Sequence, residues 1–133
     1  LKEGSFPYTV SFAVDDQIVN LQDTLSCTYT GRKCNLTGWH AKWERKSEKG
    51  NDEIQLMQVD PDKQLSLTPI GCLNFVEQAG AEVYAPRAPK IVLIRDWNGK
   101  GKVTSFITPE QALETYGAEI ISWDTPKPEL RYR

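Results

Sequence analysis

The spacing of apolar and polar positions changes along the chain, and each change marks an element. Residues 6–14 alternate strictly. Phe6, Tyr8, Val10, Phe12 and Val14 fall on one face, with Thr9, Ser11 and Ala13 on the other. Period two over this length predicts a half-buried strand. Asp15-Asp16 predicts a tight turn, because Asp tolerates the positive φ a two-residue hairpin demands. Residues 18–21 then return as a second strand, and residues 24–30 read as a third. Over 34–45, Trp39, Ala41 and Trp43 share one face and His40, Lys42 and Glu44 the other, which predicts a half-buried strand with a charged outer side. The mixed-charge stretch 45–53 reads as a polar loop with no reason to pack.

Further along, Ile54, Leu56 and Gln58 interleave with Gln55, Met57 and Val59, a strand covered on both sides. Asp60-Pro61-Asp62-Lys63 is a turn. Residues 65–68 and 72–76 read as two short strands around Pro69-Ile70-Gly71. Residues 77–90 read as irregular, with a short strand at 82–84. The run Lys90-Ile-Val-Leu-Ile-Arg95 is the most apolar and predicts a central strand. Asn98-Gly99 tips a hairpin loop, since that pair adopts left-handed backbone cheaply, and residues 103–107 return. The one helix follows. Thr108 is its N-cap, Pro109 its first residue, Gln111 completes a capping box and Gly117 ends it in a left-handed cap. Ala112, Leu113 and Tyr116 are its inward face. Residues 119–123 form a last strand, and Pro126 and Pro128 mark an extended tail from about residue 124.

These elements predict one α+β domain over residues 1–133, mostly β: an antiparallel β-sandwich or curled sheet with one short helix near residues 109–116. The length suits one core. Sixteen basic against eighteen acidic residues give a net charge of −2, which argues against a nucleic-acid footprint. No run approaches the ~18 apolar residues of a membrane span. The chain opens Leu1-Lys2-Glu3-Gly4 without an initiator Met, and reads as processed or trimmed.

Three cysteines allow three single bridges. If Thr30-Gly31 is a hairpin turn, Cys27 and Cys34 stand opposite each other within disulfide reach. That bridge would stabilise by about 2–3 kcal/mol, because the loop it closes is short. Cys72 is then a buried small hydrophobe. Pairings 27–72 and 34–72 stay open, as does the reduced state. Aromatic, Thr- and Ser-rich composition points to an extracytoplasmic β domain.

Side-chain chemistry is sparse. A hydrolytic triad would need His40, the only histidine, and His40 falls on a polar strand face. Asp15 and Asp16, Asp60 and Asp62, and Glu110 and Glu114 each have a structural explanation in a turn or on a helix surface. No metal or cofactor motif stands out, and Asn35-Leu36-Thr37 is a glycosylation sequon that chance supplies readily. The reading is therefore a binding protein and not an enzyme. Its candidate contacts are Arg95, Trp97 and Lys100 on the 95–102 hairpin, with Tyr84 and Arg87 on an exposed loop, because Trp and Arg with polar surroundings form interface hot spots. The alternative is a small-molecule or glycan-binding domain with Trp39 and Trp43 as a sugar platform.

The opening hairpin, Tyr8-Thr-Val-Ser-Phe-Ala-Val-Asp-Asp-Gln-Ile-Val-Asn-Leu21, and the cysteine-bearing strand Thr24-Leu-Ser-Cys-Thr-Tyr29 resemble the start of mature periplasmic immunity lipoproteins. These protect bacteria from type VI secretion lipase effectors. The likeness spans roughly residues 6–45 and continues, more weakly, through the apolar strand and Thr-Pro-Glu helix near 91–116. It implies a periplasmic protein that binds a phospholipase toxin and blocks it without a catalytic group. It also implies a lipid anchor, whose cysteine is absent from this sequence. It carries no interface residues.

Overall fold

The strict alternation at the start becomes β1 (Glu3–Val14) in a computed structural model of the chain, which describes residues 2–51 and 53–132. Leu1, Asp52 and Arg133, read above as part of the chain start, the polar loop and the tail, lie outside the described residues. So do the side chains of Lys33 and of Asn35, the first residue of the sequon. Phe6, Tyr8, Val10 and Phe12 are buried, as their shared face requires. Gly4 lets that face close, because a Cβ there would stand 2.5 Å from the ring of Phe6. Asp15 and Asp16 turn the chain with φ of 49° and 63°.

The return is one strand, β2 (Gln17–Asn35), where two were expected. It pairs with β1 along its first part and with β3 (Gly38–Ser47) along its second. Thr30-Gly31 is a bulge in the ladder and not a turn. The turn lies at Leu36-Thr37. The expected burial of Trp39 and Ala41 fails for the same reason. Both sit where β2 and β3 run on past the end of β1, and both are exposed, while Trp43 is half-buried. β4 (Gln55–Asp60) and β5 (Lys63–Leu67) flank the Pro61 turn.

The stretch expected as a strand at 72–76 is a helix, α1 (Cys72–Ala79). Cys72, Phe75, Val76 and Ala79 recur at helical spacing and face the core. Its N-cap is Gly71, with no side-chain cap hydrogen bond, so the usual start signal is missing. No strand forms at 82–84. β6 (Ile91–Asp96) is an inner strand as expected, and β7 (Lys102–Phe106) is its outer neighbour. α2 (Pro109–Tyr116) carries the whole expected capping scheme. The Thr108 hydroxyl accepts from the Gln111 N–H at 3.1 Å, the Gln111 side chain accepts from the Thr108 N–H at 3.0 Å, and Gly117 is left-handed. Of its expected inward face only Ala112 is buried. Tyr116 is half-buried and Leu113 is exposed. β8 (Ala118–Asp124) follows, and the expected tail folds back as β9 (Glu129–Arg131) beside Glu3–Ser5 of β1.

The result is mostly β, with two antiparallel sheets and two helices. One sheet has the order β3-β2-β1-β8, with β9 also on β1. The other has the order β4-β5-β6-β7. Leu65 pairs with Leu93 and Leu67 with Ile91. These residues join the aromatic face of β1, Leu25 and Cys27 of β2 and the inner sides of both helices in one hydrophobic cluster. Phe75 stacks on Phe6 at 5.2 Å between ring centroids, and Tyr8 stacks on Trp123 at 5.5 Å.

The disulfide is Cys27–Cys72, with 5.8 Å between Cα atoms, which corrects the expected Cys27–Cys34 pairing. Because no turn forms at Thr30-Gly31, Cys27 and Cys34 lie on the same strand, roughly 23 Å apart at ordinary strand rise. Cys27 stands opposite Arg45 and Cys34 opposite Trp39. Cys34 is exposed.

The polar loop after β3 does pack, because Asp23 holds it. This carboxylate is 1% exposed. It accepts hydrogen bonds from the backbone N–H of Thr24 (2.7 Å), Lys49 (2.9 Å) and Asn51 (3.3 Å), and from the Asn51 side chain (2.8 Å). Burial pushes its pKa up, but these donors outweigh burial and hold it below the usual carboxylate value. The stability this contributes is therefore fully present above the unfolded-state value near 3.9, and is lost as pH falls through the lower folded-state pKa. Asp23→Asn is expected to cost about 2 kcal/mol at pH 7 by urea unfolding. The deficit should shrink as pH falls below about 4 and the parent's carboxylate takes up its proton, losing its own advantage. A deficit that does not change with acidification would show that the charge is irrelevant.

Candidate functional site: an open sheet edge and an apolar groove

The 95–102 hairpin is built by its turn residues. Asn98 and Gly99 take φ of 48° and 72°. The Asp96 carboxylate accepts from the Gly99 N–H at 3.2 Å, and the Trp97 N–H donates to the Gly101 carbonyl at 2.8 Å. With the loop closed on itself, the Trp97 ring is left 55% exposed and does not fold back over the sheet. Arg95 and Lys100 are exposed beside it.

From this tip the chain runs into β7, which forms one margin of its sheet. It pairs with β6 alone, from Val92↔Phe106 to Asp96↔Lys102. All five of its residues are exposed, among them Val103 and, at 73%, Phe106. The capping box then fixes the direction of α2 so that Leu113 comes near Phe106. Ile91, Phe106, Ile107, Pro109, Leu113 and Ile120 line a groove of about 700 Å³, with Lys90, Glu110 and Glu119 as its charged residues. The groove lies within the size range of built binding sites and is mainly apolar, as such sites are.

The sequence candidates do not form one patch. Tyr84 and Arg87 precede β6 and Arg95 lies near its far end, next to the last residue Asp96, so the two groups are separated by roughly 20 Å of strand. Tyr84 is not on an exposed loop surface. It is half-buried against the core, and its hydroxyl is buried without a hydrogen-bond partner among the described residues. Burial pushes its pKa up to about 12. The loop is held inward because the Trp123 indole donates to the Pro86 carbonyl at 3.0 Å, and Asn74 exchanges two hydrogen bonds with the Arg87 backbone. The Arg87 side chain is exposed.

Trp39 and Trp43 do not act as a pair. Trp43 meets Tyr29 edge-on at 5.5 Å, Trp39 projects from the free part of the β2–β3 ribbon, and neither lines the groove. His40 is exposed, with its Nε2 2.7 Å from the Thr37 hydroxyl. Among the described residues no three His, Cys, Asp or Glu side chains are grouped to hold a metal ion, and no helix is long and apolar enough to cross a membrane.

Sequence reasoning missed the groove. Residues 103–107 read only as a return strand, because period two does not distinguish a half-buried strand from one on an open margin. Leu113 was assigned inward by helical spacing. The signal that was present is the pairing of Phe106-Ile107 with a Thr-Pro cap, which sets an apolar strand end against the first turn of a helix. No protein-family model, curated protein or solved structure matches the chain.

Proposed function

We propose that this chain works by stoichiometric capture of another protein, as an immunity protein that neutralises a type VI secretion phospholipase effector in the periplasm. The observation that carries the reading is the unpaired β7 margin, with Phe106 and Leu113 open on an apolar groove and Trp97 exposed beyond the strand's far end. An open strand offers backbone hydrogen bonds to an incoming segment, and adjacent apolar hollows give side-chain specificity. Exposed large apolar groups in one region mark interaction surfaces. Trp97 with Arg95 and Lys100 adds the aromatic and cationic contacts that dominate interface energetics. The target class comes from the resemblance of the opening hairpin, and the Cys27–Cys72 bridge suits an oxidising compartment such as the periplasm.

The test is titration of the cognate phospholipase effector with the chain, reading complex stoichiometry and lipid hydrolysis together. A one-to-one complex with loss of hydrolysis is expected. Phe106→Ala and Trp97→Ala should each weaken it by about 2 kcal/mol, a factor near 30 in Kd. An effector that stays fully active under excess chain, together with retention of the chain on a glycan array, would replace this reading with a glycan-binding one.

A further inference from the structure

The β2–β3 ribbon carries a second surface, separate from the β7 margin and beyond the capture of a protein partner. The pairing of β1 with β2 ends at Glu3↔Thr28, and the Tyr29 N–H makes the last backbone bond to that side, to the Lys2 carbonyl at 2.7 Å. Beyond it, β2 and β3 continue as a two-stranded arm. The bulge at Thr30 sits at its root, where the Thr30 hydroxyl donates to the Lys42 carbonyl at 3.1 Å. Bulges bend a ribbon and change its direction.

The composition of the arm differs from that of the body. Residues 29–43 contain Arg32, Lys33, His40 and Lys42 and none of the chain's eighteen acidic residues. A chain of net charge −2 therefore presents a cationic projection. Its residues are also ordered along the axis. Leu36, in the turn at the apex, is fully exposed, and Trp39 is 69% exposed. The ladder descends through Cys34↔Trp39, Lys33↔His40, Arg32↔Ala41 and Gly31↔Lys42. At ordinary strand rise, Trp39 lies roughly 5 Å below the apex and the cationic positions roughly 8–15 Å below it.

We infer that this arm docks on an anionic lipid surface. The axial order of aliphatic apex, indole and cations follows the order a bilayer presents, from acyl boundary through interface to charged headgroups. Apolar groups at a membrane surface settle ~5–10 Å into the headgroup and acyl boundary, and Trp prefers the interfacial level. Each Lys or Arg held near an anionic surface strengthens binding roughly fivefold. An acidic protein surface would use the same charges but gives no reason for the apolar group to stand outermost.

The full chain should co-sediment with vesicles of mixed phosphatidylglycerol and phosphatidylcholine, and not with pure phosphatidylcholine. Binding should weaken as salt rises. The Arg32→Glu/Lys42→Glu variant should lose at least ~25-fold in vesicle affinity, taking fivefold for each cation. Leu36→Asp should lose it as well. Anionic vesicles should shift Trp emission to the blue in the parent and not in Trp39→Phe. These positions lie off the core, so each variant should keep the parent's unfolding midpoint. Absence of binding to anionic vesicles at low salt would overturn the inference, as would equal binding by the charge-reversed variant. Binding to polyglutamate without binding to vesicles would overturn it in favour of an acidic protein partner.

Discussion

Replacing Cys27 and Cys72 together with alanine is expected to lower stability by about 4 kcal/mol, with the midpoint of thermal unfolding falling by roughly 10–20 °C. The two cysteines are 45 residues apart in sequence. Cross-linking a loop of that size removes more freedom from the unfolded chain than the seven-residue spacing first considered would. The bridge also acts locally. Cys72 opens α1, whose N-terminus has no side-chain cap, so the sulfur fixes the end of the helix that the sequence leaves unanchored. Urea unfolding of the double variant, and of the parent under reductant, should give matching midpoints. A loss below about 1 kcal/mol in both would mean that packing alone holds α1 and that the bridge adds little to stability.

How much was legible beforehand follows from which forces are local. The β1 alternation, the Asp15-Asp16 and Asn98-Gly99 turns and the capping of α2 were all read correctly, because each is decided within a few residues. α1 was misread because residues 72–76 are a short, mostly apolar run that suits a buried strand as well as a helix, and Gly71 supplies no side-chain cap that would choose between them. The disulfide was misassigned through one mistaken turn. Thr30-Gly31 satisfies the composition of a hairpin tip, but the ladder continues four rungs beyond it to Asn35↔Gly38. Exposure was the least legible property. Whether Trp39, Leu113 or Phe106 meets solvent depends on where neighbouring strands end, and no residue in its own segment records that. The groove and the arm are both consequences of such endings.

Phe75→Ala is the second change with a large expected effect, a loss of about 3–5 kcal/mol by urea unfolding. Phe75 is fully buried. Its ring stacks on Phe6 at 5.2 Å and lies 6.4 Å from both Tyr8 and Trp123. Those partners belong to β1 and β8, which are held in their own ladders, so the site cannot collapse and the cavity term adds to the lost transfer energy. Phe75→Leu keeps most of the volume and should cost less than about 2 kcal/mol. Combining Phe75→Ala with removal of the bridge separates two accounts of how α1 is held. If the disulfide acts mainly on the unfolded chain, the two losses should add to within about 0.5 kcal/mol. If the helix instead detaches once its ring is gone, the bridge has less left to constrain in the native state, and its removal should cost much less in the Phe75→Ala background than in the parent.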